Sequence, residues 1–112
     1  MGVTQETRLA QEKTQRPQAG QQPLKTEEAQ QLGSQVPHWK LQQDALTREY
    51  KFADFDEAID FVNELAHLAK AADHHPDIQI SYNKVKLTLS THKIGGLSRN
   101  DFILAARVDE LA

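Results

Sequence analysis

Apolar and polar residues alternate in two parts of the chain, and each alternation predicts a pair of short strands. Residues 46–52 place apolar and polar side chains on opposite faces, which is the period of a half-buried strand. A polar turn connects this strand to the extended segment at residues 39–41, and we expect the two to pair. Residues 78–82 and 85–89 alternate in the same way and indicate a second pair of strands.

A different spacing, with apolar residues three or four positions apart, predicts a long amphipathic helix over residues 54–72. A shorter helix is expected to begin at Thr26, which two acidic residues follow, and to end near Gly33. The last helix follows a double glycine. Ser98 is its expected N-cap, and Asp101 three residues later completes a capping-box arrangement.

The resulting order is helix, two strands, helix, two strands, helix. It indicates an α+β domain in which a four-stranded, largely antiparallel sheet carries helices on one face. Such a sheet has two open edges and a small core, so we expect the domain to associate with itself.

Residues 1–23 are rich in glutamine, carry few apolar side chains and show no period. They predict a disordered N-terminal tail, which is either inert or binds a protein partner. Residues 24–112 are then the folded domain.

Composition narrows the class of protein. Thirteen basic and sixteen acidic residues in 112 give a net charge of −3, which disfavours direct binding to nucleic acid. The absence of cysteine excludes a disulfide scaffold, a thiolate nucleophile and a cysteine-ligated zinc site. No apolar run approaches the ~20 residues that cross a bilayer, and no secretory signal is present, so we expect a cytoplasmic protein without a membrane partner.

Candidate chemistry collects where the predicted elements end. His74 and His75 leave the long helix, His92 ends the last strand, and Asp101 opens the last helix. Imidazole exchanges protons near neutral pH, so these residues suit acid–base catalysis. Metal binding is the other reactive option, although the histidine spacings of common zinc motifs are absent. A solvated loop and a simple helix cap explain the same residues without any chemistry.

Together these residues resemble the signature of the pterin-4a-carbinolamine dehydratases. The matching motifs are His74–His75–Pro76, Tyr82–Asn83–Lys84–Val85, Thr91–His92 and Gly96–Leu97–Ser98 followed by Asp101. The resemblance covers roughly residues 24–112. It implies removal of water from a 4a-hydroxytetrahydropterin to give the quinonoid dihydropterin, with no metal or cofactor. It also implies dimers that join their sheets edge to edge and often pair further into tetramers.

The resemblance also implies which residues form the site. The catalytic set is His74, His75, His92 and Asp101, and the substrate-binding set is Pro76, Thr91 and Tyr82. We expect His74 and His92 to be the acid–base pair, His75 to position the pterin, and Asp101 to orient an imidazole or a ring nitrogen.

One position departs from the family pattern, which favours an acid four residues before the first histidine of the doublet. Lys70 occupies that position here. Some dehydratase-like proteins of this fold act instead as protein-binding factors, either in RuBisCO assembly in carboxysomes or in dimerisation of a transcription factor. Lys70 and the N-terminal tail suit that alternative, whereas the complete set of histidines and Asp101 suits the enzyme.

Overall fold

The computed structural model describes residues 8–112, which form three α-helices around one four-stranded sheet. The helices are α1 (Thr26–Gly33), α2 (Phe55–Ala72) and α3 (Arg99–Leu111). The strands are β1 (Lys40–Leu41), β2 (Leu46–Lys51), β3 (Asp77–Ser81) and β4 (Lys84–Leu89). The predicted order of elements is confirmed. Two short 3₁₀ helices, Leu9–Gln11 and His92–Ile94, were not expected from the sequence.

The sheet has the strand order β1-β2-β4-β3, and each neighbouring pair is antiparallel. Along β4, Val85, Leu87 and Leu89 are buried, while Lys84 and Lys86, which alternate with them, are exposed. This alternation leaves one face of the sheet in solvent and places the other against α2 and α3. The predicted α+β class is therefore confirmed.

The long helix α2 is positioned by a cap at its start and an apolar stripe along its length. Asp54 accepts a hydrogen bond from the backbone N–H of Glu57 at 2.8 Å, which satisfies one free donor of the first turn. The stripe includes Phe61, whose ring centroid lies 4.8 Å from that of Tyr50 and 4.9 Å from that of Phe52. None of the helices within residues 8–112 has the length and apolar composition needed to cross a membrane.

The end of α2 turns the chain sharply back toward the sheet. Asp73 adopts the left-handed conformation, with φ 53° and ψ 43°, which short polar side chains tolerate better than most. The backbone N–H of His74 then donates to the carbonyl of Ala69 at 3.1 Å. Pro76 prevents any return to helix before β3. His74 is thereby buried at this turn, while His75 is exposed.

The loop between β4 and α3 is closed on itself. The backbone N–H of Thr91 donates to the carbonyl of Gly96 at 2.9 Å, and Gly95 between them has φ 74°. Gly96 is buried against Pro23, where a Cβ atom would lie 2.9 Å from the proline Cβ. Only glycine fits this approach without displacement of the neighbouring chain.

The last turn of α3 is tied to the sheet by one carboxylate. Oδ1 of Asp109 accepts hydrogen bonds from Trp39 Nε1 at 2.9 Å, from Arg48 Nη1 at 2.7 Å and from the Tyr50 hydroxyl. Burial, together with this carboxylate, raises the pKa of Tyr50 far above its usual range, so the phenol stays protonated and donates. The contact fixes the angle at which α3 crosses the strands.

Residues 8–17, which we call the N-terminal strap, pack against α3. Leu9 is 2 % exposed and joins the core. Arg107 donates to the carbonyls of Ala10 and Glu12, and Arg99 donates to the Glu12 carboxylate at 2.6 and 2.8 Å. The sequence predicted a disordered tail here, whereas the structure holds these residues by one apolar anchor and two arginines of α3. Residues 1–7 of the predicted tail lie outside the described residues.

Candidate functional site

Three elements bring their ends together around one buried carboxylate. Asp101, in the first turn of α3, is 0 % exposed. Its Oδ1 lies 2.5 Å from Nε2 of His74 at the end of α2. Its Oδ2 accepts hydrogen bonds from the Thr91 hydroxyl at 2.8 Å and from the backbone N–H of Ser98 at 2.9 Å. The expected capping contact between Asp101 and Ser98 is therefore present, and the same carboxylate also holds a histidine.

This arrangement determines where the protons lie. An ionised carboxylate only accepts hydrogen bonds, so Nε2 is the nitrogen of His74 that carries a proton toward Asp101. Thr91 uses its hydroxyl proton on Asp101, and Ser98 Oγ, 2.7 Å from Thr91 Oγ1, then donates to Thr91. The remaining nitrogen of His74, Nδ1, is the one left to exchange a proton with a bound molecule.

A cavity of about 360 Å³ lies beside this pair. His74, His75, Thr91 and His92 all line it. His75 and His92 are exposed, whereas His74 is 8 % exposed. The volume falls at the lower end of the range that small organic ligands occupy. No three histidine, aspartate or glutamate side chains within residues 8–112 converge as a metal-ligand set.

Five of the seven predicted site residues therefore come together, four on the cavity and Asp101 behind it. Pro76 is half-buried next to His75 but does not line the cavity. Tyr82 is 67 % exposed in the β3–β4 turn, at the far end of β4. Six residues of strand separate that turn from the cavity by about 20 Å. The position of Tyr82 does not support the predicted role in substrate binding within one chain.

Two further details differ from the sequence expectation. His92 does not end β4, which stops at Leu89; it begins the 3₁₀ helix His92–Ile94, whose N-cap is Thr91. Lys70, at the position where the family pattern favours an acid, is exposed in the last turn of α2 and does not line the cavity. The carboxylate partner of His74 is Asp101, from α3.

The strap supplies a wall of the cavity that the sequence reasoning missed. Arg16 and Pro17 line it together with the histidines, and Lys93, which follows His92 in sequence, lines it as well. The available signals were an Arg-Pro dipeptide within an otherwise polar segment and a single leucine, Leu9, seven residues before it. Neither signal has a period, so neither indicated contact with the domain.

Comparison with known proteins gives a consistent assignment. Residues 22–111 match the family model described as pterin 4 alpha carbinolamine dehydratase. A protein of Picosynechococcus sp. named as a candidate pterin-4-alpha-carbinolamine dehydratase is 55 % identical over 78 residues, which are 70 % of this chain and 85 % of that protein. A protein of the same name from Halorhodospira halophila is 47 % identical over 96 residues, or 84 % of this chain and 88 % of that protein.

Two solved structures share the fold. A transcriptional coactivator/pterin dehydratase from Brucella melitensis superposes with a TM-score of 0.77 at 32 % identity, over 80 % of this chain and 98 % of that one. A pterin dehydratase-like protein identified as a RuBisCO assembly factor in the alpha-carboxysome gives a TM-score of 0.58 at 27 % identity, over 66 % of this chain and 88 % of that one. With a family model that spans nearly the whole domain and relatives near half identity, this chain belongs to the pterin-4a-carbinolamine dehydratase family.

Proposed function

We propose that this protein dehydrates a 4a-hydroxytetrahydropterin to the quinonoid dihydropterin by histidine acid–base catalysis. The observation that carries the proposal is the buried His74–Asp101 pair at 2.5 Å, on the wall of a cavity that His75 and His92 also line. Membership of the family supplies the substrate class.

The reaction breaks one C–O bond and moves two protons. The 4a-hydroxyl leaves as water after it receives a proton from an acid, and a ring nitrogen gives up its proton to a base, which leaves a C=N bond in the product. In our proposal His74 and His92 are this acid–base pair. The two imidazoles regain their starting protonation by exchange with solvent, which reaches the exposed His92.

In our proposal Asp101 orients the ring of His74, and His75 positions the pterin. Because Asp101 holds the proton of His74 on Nε2, it presents Nδ1 for exchange and prevents rotation of the ring. Thr91 and Ser98 hold Asp101 in turn. His75 is exposed on the same cavity, and in our proposal it hydrogen-bonds the pterin ring.

The test is the rate of dehydration of synthetic 4a-hydroxytetrahydropterin above its spontaneous rate. His74→Ala and His92→Ala should each slow turnover by ~10²-fold or more, the usual contribution of one acid–base group. His67→Ala is the matched control, because His67 is exposed on α2 and away from the cavity. Equal rates for the wild type and the folded double variant His74→Ala/His92→Ala would overturn the proposal.

The second candidate function is that of a protein-binding or assembly factor with weak catalysis. It is favoured by the structural similarity to the RuBisCO assembly factor and by Lys70 at the family's acidic position. The two functions separate in the dehydration assay. A wild-type protein that does not exceed the spontaneous rate, yet is captured by a purified partner such as RuBisCO, would favour assembly.

We also propose that two copies associate through β3. This strand is at the edge of the sheet, and its Ile78 and Ile80 are 39 % and 41 % exposed. An open edge with apolar side chains is a ready template for another strand. Light scattering should give at least twice the 12.6 kDa chain mass, and a monomer at micromolar concentration would contradict this.

A further inference from the structure

The N-terminal strap adds a positively charged wall to the histidine cavity. We propose that Arg16 of the strap, together with Lys93, binds an anionic substituent on the pterin, so that the preferred ligand is a pterin with a carboxylate or phosphate on its side chain. This inference rests on the proposed function, since it specifies the substrate class of the same site.

The strap backbone is held firmly just before Arg16. Thr14 Oγ1 donates to the carbonyl of Ala72 at 3.1 Å, which ties the strap to the last turn of α2. The amide of Asn100 bonds both backbone groups of Gln15: its Oδ1 accepts from the N–H at 2.9 Å and its Nδ2 donates to the carbonyl at 2.5 Å. Arg16 therefore starts from a fixed point beside the site.

Pro17 limits the strap on the other side. A proline disfavours the helical conformation of the residue before it, so Arg16 is confined to extended backbone. Pro17 and Arg16 line the cavity together with His74 and His75. The backbone of Arg16 is thus extended and held in place by its neighbours. Its long cationic side chain is suited to contact a substituent of a ligand in the cavity rather than to cap a helix.

The charges around the cavity favour an anion at this end. Within residues 8–112 the ion pairs join Arg48 to Asp109, His74 to Asp101 and Arg99 to Glu12, and none involves Arg16 or Lys93. Asp73 is the acidic residue that lines the cavity, and it is exposed. The cavity lining thus contains two cations, Arg16 and Lys93, and one carboxylate, Asp73. Any histidine that is protonated adds to the positive charge.

The chemistry of the arginine narrows the class of ligand. A guanidinium presents paired N–H donors that match the two oxygens of a carboxylate or phosphate. The family model matches residues 22–111, so Arg16 belongs to a part of the chain outside that match. Lys93, the second cation of this wall, lies within the matched residues.

Direct binding measurements test the preference for an anionic pterin without relying on turnover. The probes are three fluorescent oxidised pterins that differ at C6: a neutral hydroxymethyl, a carboxylate, and the phosphate ester of the hydroxymethyl. We expect the wild type to bind at least one anionic pterin ~10-fold more tightly than the neutral one, as one charge-assisted contact provides. The carboxylate and phosphate arms show which anion is preferred.

The variants separate the strap from the rest of the site. Arg16→Gln should reduce the anionic preference to about twofold or less while the affinity for the neutral pterin stays the same, and Lys93→Gln should reduce it in part. Lys13→Gln is the matched control, because Lys13 is an exposed cation of the strap that does not line the histidine cavity. It should keep the full preference.

Three results would overturn the inference. Equal affinity of the wild type for all three pterins would refute it and leave the proposed dehydratase standing. A preference that survives in Arg16→Gln would assign the anion to Lys93 or the histidines instead. Failure of every pterin to bind, with no acceleration of dehydration, would refute the proposed function and this inference together.

Discussion

Replacing Asp101 with asparagine keeps the shape of the side chain and removes one of its two acceptor oxygens. The carboxylate is 0 % exposed and faces three groups: the backbone N–H of Ser98, the hydroxyl of Thr91, and Nε2 of His74. The amide oxygen of Asp101→Asn can remain with Ser98 and Thr91. Its NH₂ group then faces Nε2, so two donors meet unless His74 changes its tautomer.

The loss of stability follows from the change in bond type. Hydrogen bonds to a charged group contribute ~1.5–3 kcal/mol and neutral ones ~0.5–1.5 kcal/mol, so each of the bonds from Ser98 and Thr91 weakens by about 1 kcal/mol. The total is about 2 kcal/mol of unfolding free energy. For a domain of this size that corresponds to a fall in Tm of roughly 10 °C.

The loss of activity follows from the tautomer. His74 must accept from the new amide through Nε2, which moves its proton to Nδ1, the nitrogen assigned to the substrate. The His74 nitrogen that faces the substrate then carries a proton at the start of the acid–base cycle, where the wild type has none. We expect kcat to fall by ~10²-fold or more. The loss of rate in protein that remains folded is what separates this role from a helix cap alone.

The assay pairs urea denaturation at a fixed protein concentration with dehydration kinetics, and ¹⁵N shifts of the His74 ring report the tautomer. Asp73→Asn is the matched control for stability, because Asp73 is exposed at the same cavity and asparagine also tolerates its left-handed backbone. It should change the unfolding free energy by less than about 0.5 kcal/mol. If Asp101→Asn proves as stable and as active as the wild type, the buried carboxylate does not hold His74 in the way described.

Three further predictions concern the strap and the closed loop. Leu9→Ala should cost about 2–3 kcal/mol in urea denaturation, because Leu9 is 2 % exposed; a cost below about 0.5 kcal/mol would show that the strap does not dock. Arg99 lowers the pKa of Glu12, so their ion pair stabilises the strap above the ordinary carboxyl pKa of ~4.3 and loses this contribution as the pH falls through the lowered value. Hydrogen exchange of strap amides should therefore show more opening at about pH 3 than at pH 6 in the wild type, and Glu12→Gln should reduce that difference; identical behaviour of the two proteins would contradict it. Gly96→Ala should destabilise by about 1–3 kcal/mol, since the new Cβ would lie 2.9 Å from Pro23, and an unchanged Tm would refute this contact.

The main elements could be predicted from sequence because each has a period of its own. The alternation in β4 matches the burial of Val85, Leu87 and Leu89 between exposed lysines, and the stripe of α2 matches its buried face. The strap could not be predicted in this way. A single leucine has no period, and the groups that hold the strap, Arg99 and Arg107, come some 90 residues later.

The candidate site could be predicted only in part. Histidines at the ends of elements pointed to a common location, and the family signature grouped them with Asp101. The pairing of His74 with Asp101 joins residues 27 apart through the packing of α2 on α3, which no local pattern contains. For Tyr82 the motif suggested a place in the site, and the structure puts it in the β3–β4 turn. A motif does not reveal at which end of a hairpin its residues lie.

The contacts between the strap and α3 join the first described residues to the last helix. During synthesis at ~5–20 residues per second, the strap leaves the ribosome roughly 5–20 s before Arg99 and Arg107 do. The strands and α2 can meet in that interval, but the cavity wall that contains Arg16 cannot close until the C-terminal helix has been made. The wall that contains Arg16 therefore becomes complete only after α3 has left the ribosome.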